Sequence, residues 1–379
     1  MKILQKVLSE FHQIESALQA FQAMAPDLVL VFGSVDWLHR LAGPLALQCH
    51  GAVRLGCTTA GEISARGVTQ DSAVLTGLTF DHIRLQASSS ELNAMPDSMA
   101  AGAALAAPLA HADLRAVWVL GQGVGINGSA MIAGMVAELG PDVLISGGLA
   151  GDAGRFQETH VLFDAGVYAN RLACVGLYGA AVQISHGSFG GWEPFGPARK
   201  VTRCEHNVLF ELDHEPALEV YKRYLGEHAK GLPASGLLFP LAMLGADHQE
   251  LGLLRTILGV DEAQGSLILA GEIKADGYLR LMHASTQALI GGAETAALAV
   301  APMSRNHAPG LALLVSCVGR KLVMGGRVEE EVEVVAEALG SGTTVAGFYS
   351  YGEISPFSHD LQCQLHNQTM TITYLAEAQ

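Results

Sequence analysis

The 379-residue chain is poor in basic side chains: 22 Lys and Arg stand against 37 Asp and Glu, a formal net charge of −15. Nucleic-acid binding rests on clustered Lys and Arg, so this balance excludes a phosphate-tracking surface, and no nucleic-acid partner is expected. Long apolar runs are also missing. No stretch approaches the roughly 18 apolar residues of a membrane span, and "LALLVSCVG" has the length of a buried strand. The N-terminus lacks the apolar core and small-residue cleavage site of a signal peptide. The six cysteines (Cys49, Cys57, Cys174, Cys204, Cys317, Cys363) form no CxxC pair and no zinc spacing. Cys174 and Cys317 sit in apolar runs, where free Cys is an ordinary core residue. A reduced, cytoplasmic protein without a membrane span is the expectation. Neither HExxH nor a G-x-S-x-G elbow occurs, and the Ser, His and Asp residues form no recognisable triad.

Half of the chain is apolar and 16% is charged, enough to bury a large core. At this length two domains are expected, since single cores rarely grow beyond roughly 250 residues. Leu4, Val7, Phe11, Ile14, Leu18 and Phe21 recur at helical spacing and predict an N-terminal helix. Short β-branched runs alternate with helical segments up to "RLACVGLYGA". Gly140-Pro141 stops one helix, Pro216 opens another near a stop at Gly226, and Gly340 ends "VEEEVEVVAEALG". Strands arrive both singly between helices and in hairpin-like runs. The pattern predicts an α/β fold of mixed β-sheets covered by helices, with two related α/β regions packed together. The Gly- and Pro-rich segment 186–200, "HGSFGGWEPFGPARK", reads as a long connection.

Several motifs carry candidate chemistry. "GEIS" occurs at 61–64 and 352–355 and loosely at 271–274, each time after a strand-like run. The copies read either as duplicated turns or as one shared local turn. Glu62 and Glu353 are candidate cleft residues, with Glu272 the weakest of the three. Gly123 to Gly128 satisfies G-x-G-x-x-G after a strand and before a helix, the setting of a dinucleotide fingerprint. No ribose-binding acid closes the following strand, and Asp152 arrives only after "GGLAG". That segment reads either as a flexible turn or as a backbone cradle in which Asp152 bonds a ligand. Of fifteen histidines two stand apart. His186 opens the Gly-rich segment beside Phe189, Trp192 and Phe195. His366 precedes Asn367, Gln368 and Thr369 at the start of a terminal strand. A neutral imidazole beside an apolar wall is a haem iron ligand in many folds.

Taken together, "GCTTAGEIS", "GGLAGD", "HGSFGGWEPFGPARKVT", "NVLFELDHEPALEVYKRYLG", "GLPASGLLFPL", "SCVGRKLVMG", "GFYSYGEISP" and "LHNQTMTIT" resemble the FIST proteins nearly end to end. The likeness is greatest to their stand-alone nitric-oxide-sensing hemoproteins. It implies a FIST N-terminal region over 1–212 and a C-terminal region over 213–379. It also implies a non-catalytic cytoplasmic sensor binding haem b, which modulates a partner histidine kinase or cyclic-di-GMP enzyme. His186 is the first choice of iron ligand and His366 the second, with Phe189, Trp192, Asn367, Asp152, Glu62 and Glu353 as the other binding candidates. An amino-acid sensor of the same fold is the alternative. There Glu62, Glu353, Asp152 and Asn367 would hold the ammonium group and glycine-turn amides the carboxylate. The remaining alternative is an enzyme using a nucleotide cofactor at Gly123 to Gly128.

Overall fold

A computed structural model describes residues 1–307, 309–356 and 363–378. The N-terminal periodicity misleads at its start. Lys2–Leu8 forms a strand, β1, and the helix α1 spans only Ile14–Met24. Leu4 and Val7 lie in a ladder with Gly77 and Val74, so pairing outweighs the helical spacing of the first two apolar positions.

The chain then continues through β2 (Leu28–Gly33), α2 (Val35–Gln48), β3 (Val53–Thr58), a hairpin β4 (Glu62–Ser64) and β5 (Gly67–Thr69), and β6 (Ala73–Thr79). The same order follows in β7 (Arg84–Glu91), α3 (Ser98–Ala106), β8 (Leu114–Gly121), α4 (Gly128–Leu139), β9 (Leu144–Leu149), a hairpin β10 (Val161–Phe163) and β11 (Gly166–Tyr168), and β12 (Arg171–Tyr178). A third copy opens with β13 (Val182–Phe189) and is then interrupted by an inserted antiparallel sheet. The insert comprises β14 (Glu193–Pro194), β15 (Arg199–Glu205), β16 (Val208–Leu212), β17 (Glu215–Pro216), α5 (Ala217–Leu225), β18 (Leu241–Leu244), β19 (Glu250–Arg255), β20 (Ile257–Asp261), β21 (Ser266–Leu269) and β22 (Tyr278–His283). The copy resumes with α6 (Thr286–Asn306), β23 (Gly310–Cys317), α7 (Val318–Met324), α8 (Val328–Leu339), β24 (Thr343–Ser350), a hairpin β25 (Gly352–Pro356) and β26 (Cys363–His366), and β27 (Met370–Glu377).

Sheet order exposes the repeat. The three six-stranded sheets run β1-β6-β2-β3-β10-β11, β7-β12-β8-β9-β25-β26 and β13-β27-β23-β24-β4-β5. Each is four strands of one copy plus the hairpin of another. Copy two lends its hairpin to copy one, copy three to copy two, and copy one to copy three. The exchange is cyclic. In every copy the second strand of the parallel pair carries a glycine at one register position: Gly56 opposite Val31, Gly147 opposite Val119, and Gly347 opposite Leu314. A Cβ there would lie 2.2, 1.9 and 1.8 Å from the facing carbonyl oxygen, so the strands close up only on glycine.

The fold is thus the expected mixed α/β arrangement, with three copies of one unit inside it. The inner faces of the three sheets share a single core that includes Phe32, Trp118, Val175, Leu313 and Phe348. Phe32 and Phe348, from the first and third copies, stack at 4.8 Å. Helices cover the outer faces, with Phe21, Leu38 and Leu41 over the first sheet, Leu105, Met131 and Met135 over the second, and Ala297, Val300 and Val335 over the third.

The segment 186–200 is not one loose connection. His186 belongs to β13, and beyond Phe189 the chain crosses into the inserted sheet through β14 and β15. The stops at Gly140, Gly226 and Gly340 stand where expected.

Candidate functional site

The two "GEIS" segments are the swapped strands β4 and β25. Glu62 faces Phe348 of β24 in register, and Glu353 faces Gly148 of β9. In the second copy the same place, opposite Cys57, is held by Val161. The loose third copy at Glu272 lies in the loop between β21 and β22 of the insert, outside the repeat, and its carboxylate accepts from Asn127 Nδ2 at 3.1 Å.

Glu62 is 2% exposed. Its Oε1 accepts from Thr59 Oγ1 at 2.6 Å, and its Oε2 from Ser72 Oγ at 2.7 Å and Ser72 N–H at 3.3 Å. Burial raises its pKa above the ordinary carboxyl value, against the opposing pull of these bonds and of Lys321. It borders a cavity of about 300 Å³ lined also by Ser34, Thr59, Gln70, Asp71, Asp152, Arg155, Glu158 and His160.

Asp152 shares this wall. Its carboxylate accepts from the N–H groups of Phe156 (2.8 Å), Gln157 (2.8 Å) and Glu158 (3.1 Å) and from the Tyr351 hydroxyl. Burial alone would raise its pKa, but the Tyr351 bond and the three amide bonds together hold it below the usual range. Asp152 therefore shapes the 152–158 loop that forms one side of the cavity.

The N-terminus of α2 also borders the cavity, through Ser34 and Val35. The side chain of Ser34 makes no capping bond there, and the first amides of a helix have no partner within it. That end carries partial positive charge, the sign that attracts a carboxylate or phosphate. His160 completes the rim. Burial lowers its pKa, and its Nδ1 is buried without a hydrogen-bond partner. Lys321, from α7, stands behind the lining and donates from Nζ to Ala60 O at 2.6 Å and Gln70 Oε1 at 3.2 Å. Ser34, Arg155 and His160 carry no motif that singles them out in the sequence, and Lys321 is one unmarked residue within "SCVGRKLVMG".

The other candidates are placed elsewhere. Glu353 is fully buried and held like Glu62, by Ser350 Oγ at 2.7 Å and by Thr369 N–H and Oγ1 at 3.1 and 3.0 Å. Burial pushes its pKa to about 8, against those bonds and Arg320. Beside it in register, His366 is 1% exposed, and its Nε2 lies 3.0 Å from the carbonyl oxygen of Ser355. Burial drives its pKa down to about 4, with Arg255 and His186 adding to the effect. The ring is neutral, and Nε2 carries the proton that Ser355 accepts. Asn367 is buried, its Oδ1 without a partner. Phe189 and Trp192 line a separate groove of about 170 Å³ with Thr369 and Leu254.

These residues do not fit a haem. His366 Nε2 is committed to a backbone carbonyl, and the aromatic groove is lined by neither His186 nor His366. Its volume also falls below the roughly 300–1,000 Å³ of ordinary small-molecule pockets. Among the described residues no group of three or more His, Cys, Asp or Glu is arranged to hold a metal ion. The G-x-G-x-x-G segment serves packing. A Cβ on Gly123 would lie 1.8 Å from Ala150 O, one on Gly128 would lie 3.0 Å from Leu365, and Asn127 caps α4 by accepting from Ala130 N–H at 3.0 Å.

No helix among the described residues is long and apolar enough to cross a membrane. No curated protein matches the chain. Among solved structures, a cyanuric acid hydrolase from A. caulinodans aligns with 99% of this chain and 99% of its own, at 10% identity and a TM-score of 0.34. The expectation of a non-catalytic chain stands corrected beside this hydrolase match and is not carried further. At such a TM-score the neighbour's activity stays with the neighbour. The FIST N domain matches residues 27–215 and the FIST C domain residues 217–356, together most of the chain. Such domains are sensors of small ligands. The chain belongs to the FIST family, a FIST N domain followed by a FIST C domain.

Proposed function

We propose that the chain senses a small zwitterion of the amino-acid type in the cavity bordered by Glu62 and the N-terminus of α2. The observation that carries this reading is a mixed lining: one cavity is bordered by the carboxylates of Glu62, Asp71 and Glu158 and also by Ser34, at a helix start that its side chain leaves uncapped. An ammonium group suits the carboxylates, and a carboxylate suits the helix end and Arg155. The orphaned His160 Nδ1 supplies one more polar contact within the same rim. Glu353 and Asn367 are not in this lining and hold no part of the ligand in this reading. A histidine kinase or cyclic-di-GMP enzyme, implied by the family likeness, is the output partner we propose with it.

The test is a thermal-shift screen of the twenty amino acids, followed by calorimetry on any that stabilise the protein. A ligand at 100 times its Kd adds about 2.7 kcal/mol of stability. At least one amino acid should raise Tm, and Glu62→Gln and Arg155→Ala should each weaken binding about tenfold or more. No shift with any of the twenty, or a shift that both variants leave intact, would refute the proposal.

A further inference from the structure

Three consecutive residues of α7 touch three different parts of the molecule. Lys321 lies directly behind the cavity lining: its Nζ bonds Ala60 O and the lining Gln70 Oε1, and a Cβ on the lining Gly61 would lie 2.7 Å from that nitrogen. Arg320 is fully buried. It donates to Glu331 Oε2 from Nη2 at 2.6 Å and Nε at 3.0 Å, to Leu289 O at 2.8 Å, and to Gly190 O. Gly190 begins the connector into the inserted sheet. Gly319 abuts the side chain of Gln368, to which a Cβ would approach within 2.4 Å. Gln368 in turn donates from its side chain to Leu237 O at 3.0 Å and Thr256 Oγ1 at 3.1 Å, both in the insert, and its backbone carbonyl accepts from Trp192 Nε1 at 2.8 Å.

We propose that α7 carries the occupancy of the cavity to the inserted sheet, with Lys321 as the reading residue and Arg320 as the anchor of the connector. The proposal rests on the cavity being the ligand site. Lys321 comes from the FIST C domain and Gln70 from the FIST N domain. A ligand group that attracts or repels the Lys321 ammonium therefore changes a bond between the two domains. The helix has seven residues, and the guanidinium next to Lys321 is held by α8, by α6 and by the connector at Gly190. A pull on Lys321 is consequently felt at the Gly190 carbonyl and at Gln368. For that displacement to act as a signal, the ligand must bind the two placements of α7 with different affinity.

The experiment is a mutant cycle read by amide hydrogen exchange on the full chain, and it needs no ligand. Gln70 is exposed, so Gln70→Glu and Gln70→Lys are tolerated substitutions that attract and repel the Lys321 ammonium. Gln70→Glu should slow exchange from Gly187 to Trp192 and from Leu237 to Thr256 by about threefold or more, and Gln70→Lys should speed it. In a Lys321→Met background both effects should vanish. Unchanged exchange in both Gln70 variants would overturn the coupling, and so would effects that persist without Lys321. If Lys321→Met fails to fold, the opposite signs of the two Gln70 variants still decide the matter. If the cycle behaves as expected but no amino acid stabilises the protein, the ligand reading falls and the coupling stands. The reverse pattern sinks the coupling alone.

Discussion

Glu62 and Glu353 are one position used twice. Each follows a hydroxyl residue by three places and accepts from it, Thr59 at 2.6 Å and Ser350 at 2.7 Å. Each is gripped on its other oxygen by the N–H and hydroxyl of the residue just before the closing strand, Ser72 in the first copy and Thr369 in the third. Their surroundings separate them. Glu62 borders a cavity, whereas the third copy is closed over by Gln368 and the insert.

That difference has a consequence in pH. The native pKa of Glu353 lies near 8, above its ordinary 4.5, so the folded state holds this proton more tightly than the unfolded chain. Its contribution to stability is fully present below about pH 4.5 and is lost as pH rises through about 8. Urea denaturation from pH 5 to 9 should show wild type losing on the order of a few kcal/mol relative to Glu353→Gln. Parallel pH curves for the two proteins would contradict the assignment.

Asp152 behaves with the opposite sign. Its folded pKa is lowered, so its stabilisation is present above the ordinary value of 3.8 and is lost as pH falls through the folded value. Asp152→Asn should flatten the acid limb of the stability curve. It should also speed amide exchange at Phe156, Gln157 and Glu158, whose N–H groups it holds.

The repeat glycines give a sharp contrast. Gly347→Ala places a Cβ 1.8 Å from Leu314 O, and Gly147→Ala places one 1.9 Å from Val119 O. Each should destabilise by more than about 3 kcal/mol, because backbone must shift in both strands. Gly291 in α6 has nothing within 4 Å of an added Cβ. Gly291→Ala should instead stabilise by about 0.5–1 kcal/mol in the same urea assay.

Arg320 and Glu331 are both fully buried and paired at 2.6 Å. Glu331→Ala leaves the guanidinium with carbonyl partners only and also frees the Tyr349 hydroxyl, bonded to Glu331 at 2.7 Å. Chemical denaturation should show a loss of about 3–5 kcal/mol. Replacing both residues by apolar ones of similar size should cost less than the single change.

Much of the architecture was legible because it is local. Gly-Pro and Gly stops and the β-branched runs each act within a few residues, and the helices α4, α5 and α8 end where those stops place them. The duplicated turn was visible in "GEIS" for a related reason: a hydroxyl, a glycine and a carboxylate must keep fixed spacing to close one cage. The threefold repeat was hidden because its defining contacts are non-local. The second copy has Val161 where the others have Glu, and the third is split by the insert. The cavity was half visible through Glu62 and Asp152. Ser34, Arg155 and His160 meet there, with Lys321 behind them, only because strands from distant parts of the chain are brought side by side. An imidazole beside aromatic residues in sequence says nothing about where its nitrogen points, and His366 turns Nε2 to a backbone carbonyl.

The traded hairpins also set an order of assembly during synthesis. The first sheet has all its strands once residue 168 has emerged, since β10 and β11 belong to the same half of the chain. The second waits for β25 and β26, which end at His366, and until then β9 presents an unpaired edge. The β4–β5 hairpin waits for β24, which ends at Ser350. A nascent or truncated chain holding only the FIST N domain therefore offers both a vacant edge and a spare hairpin, complementary to those of FIST C. It should rejoin a separately supplied FIST C fragment, or, lacking one, associate through that edge with its own kind.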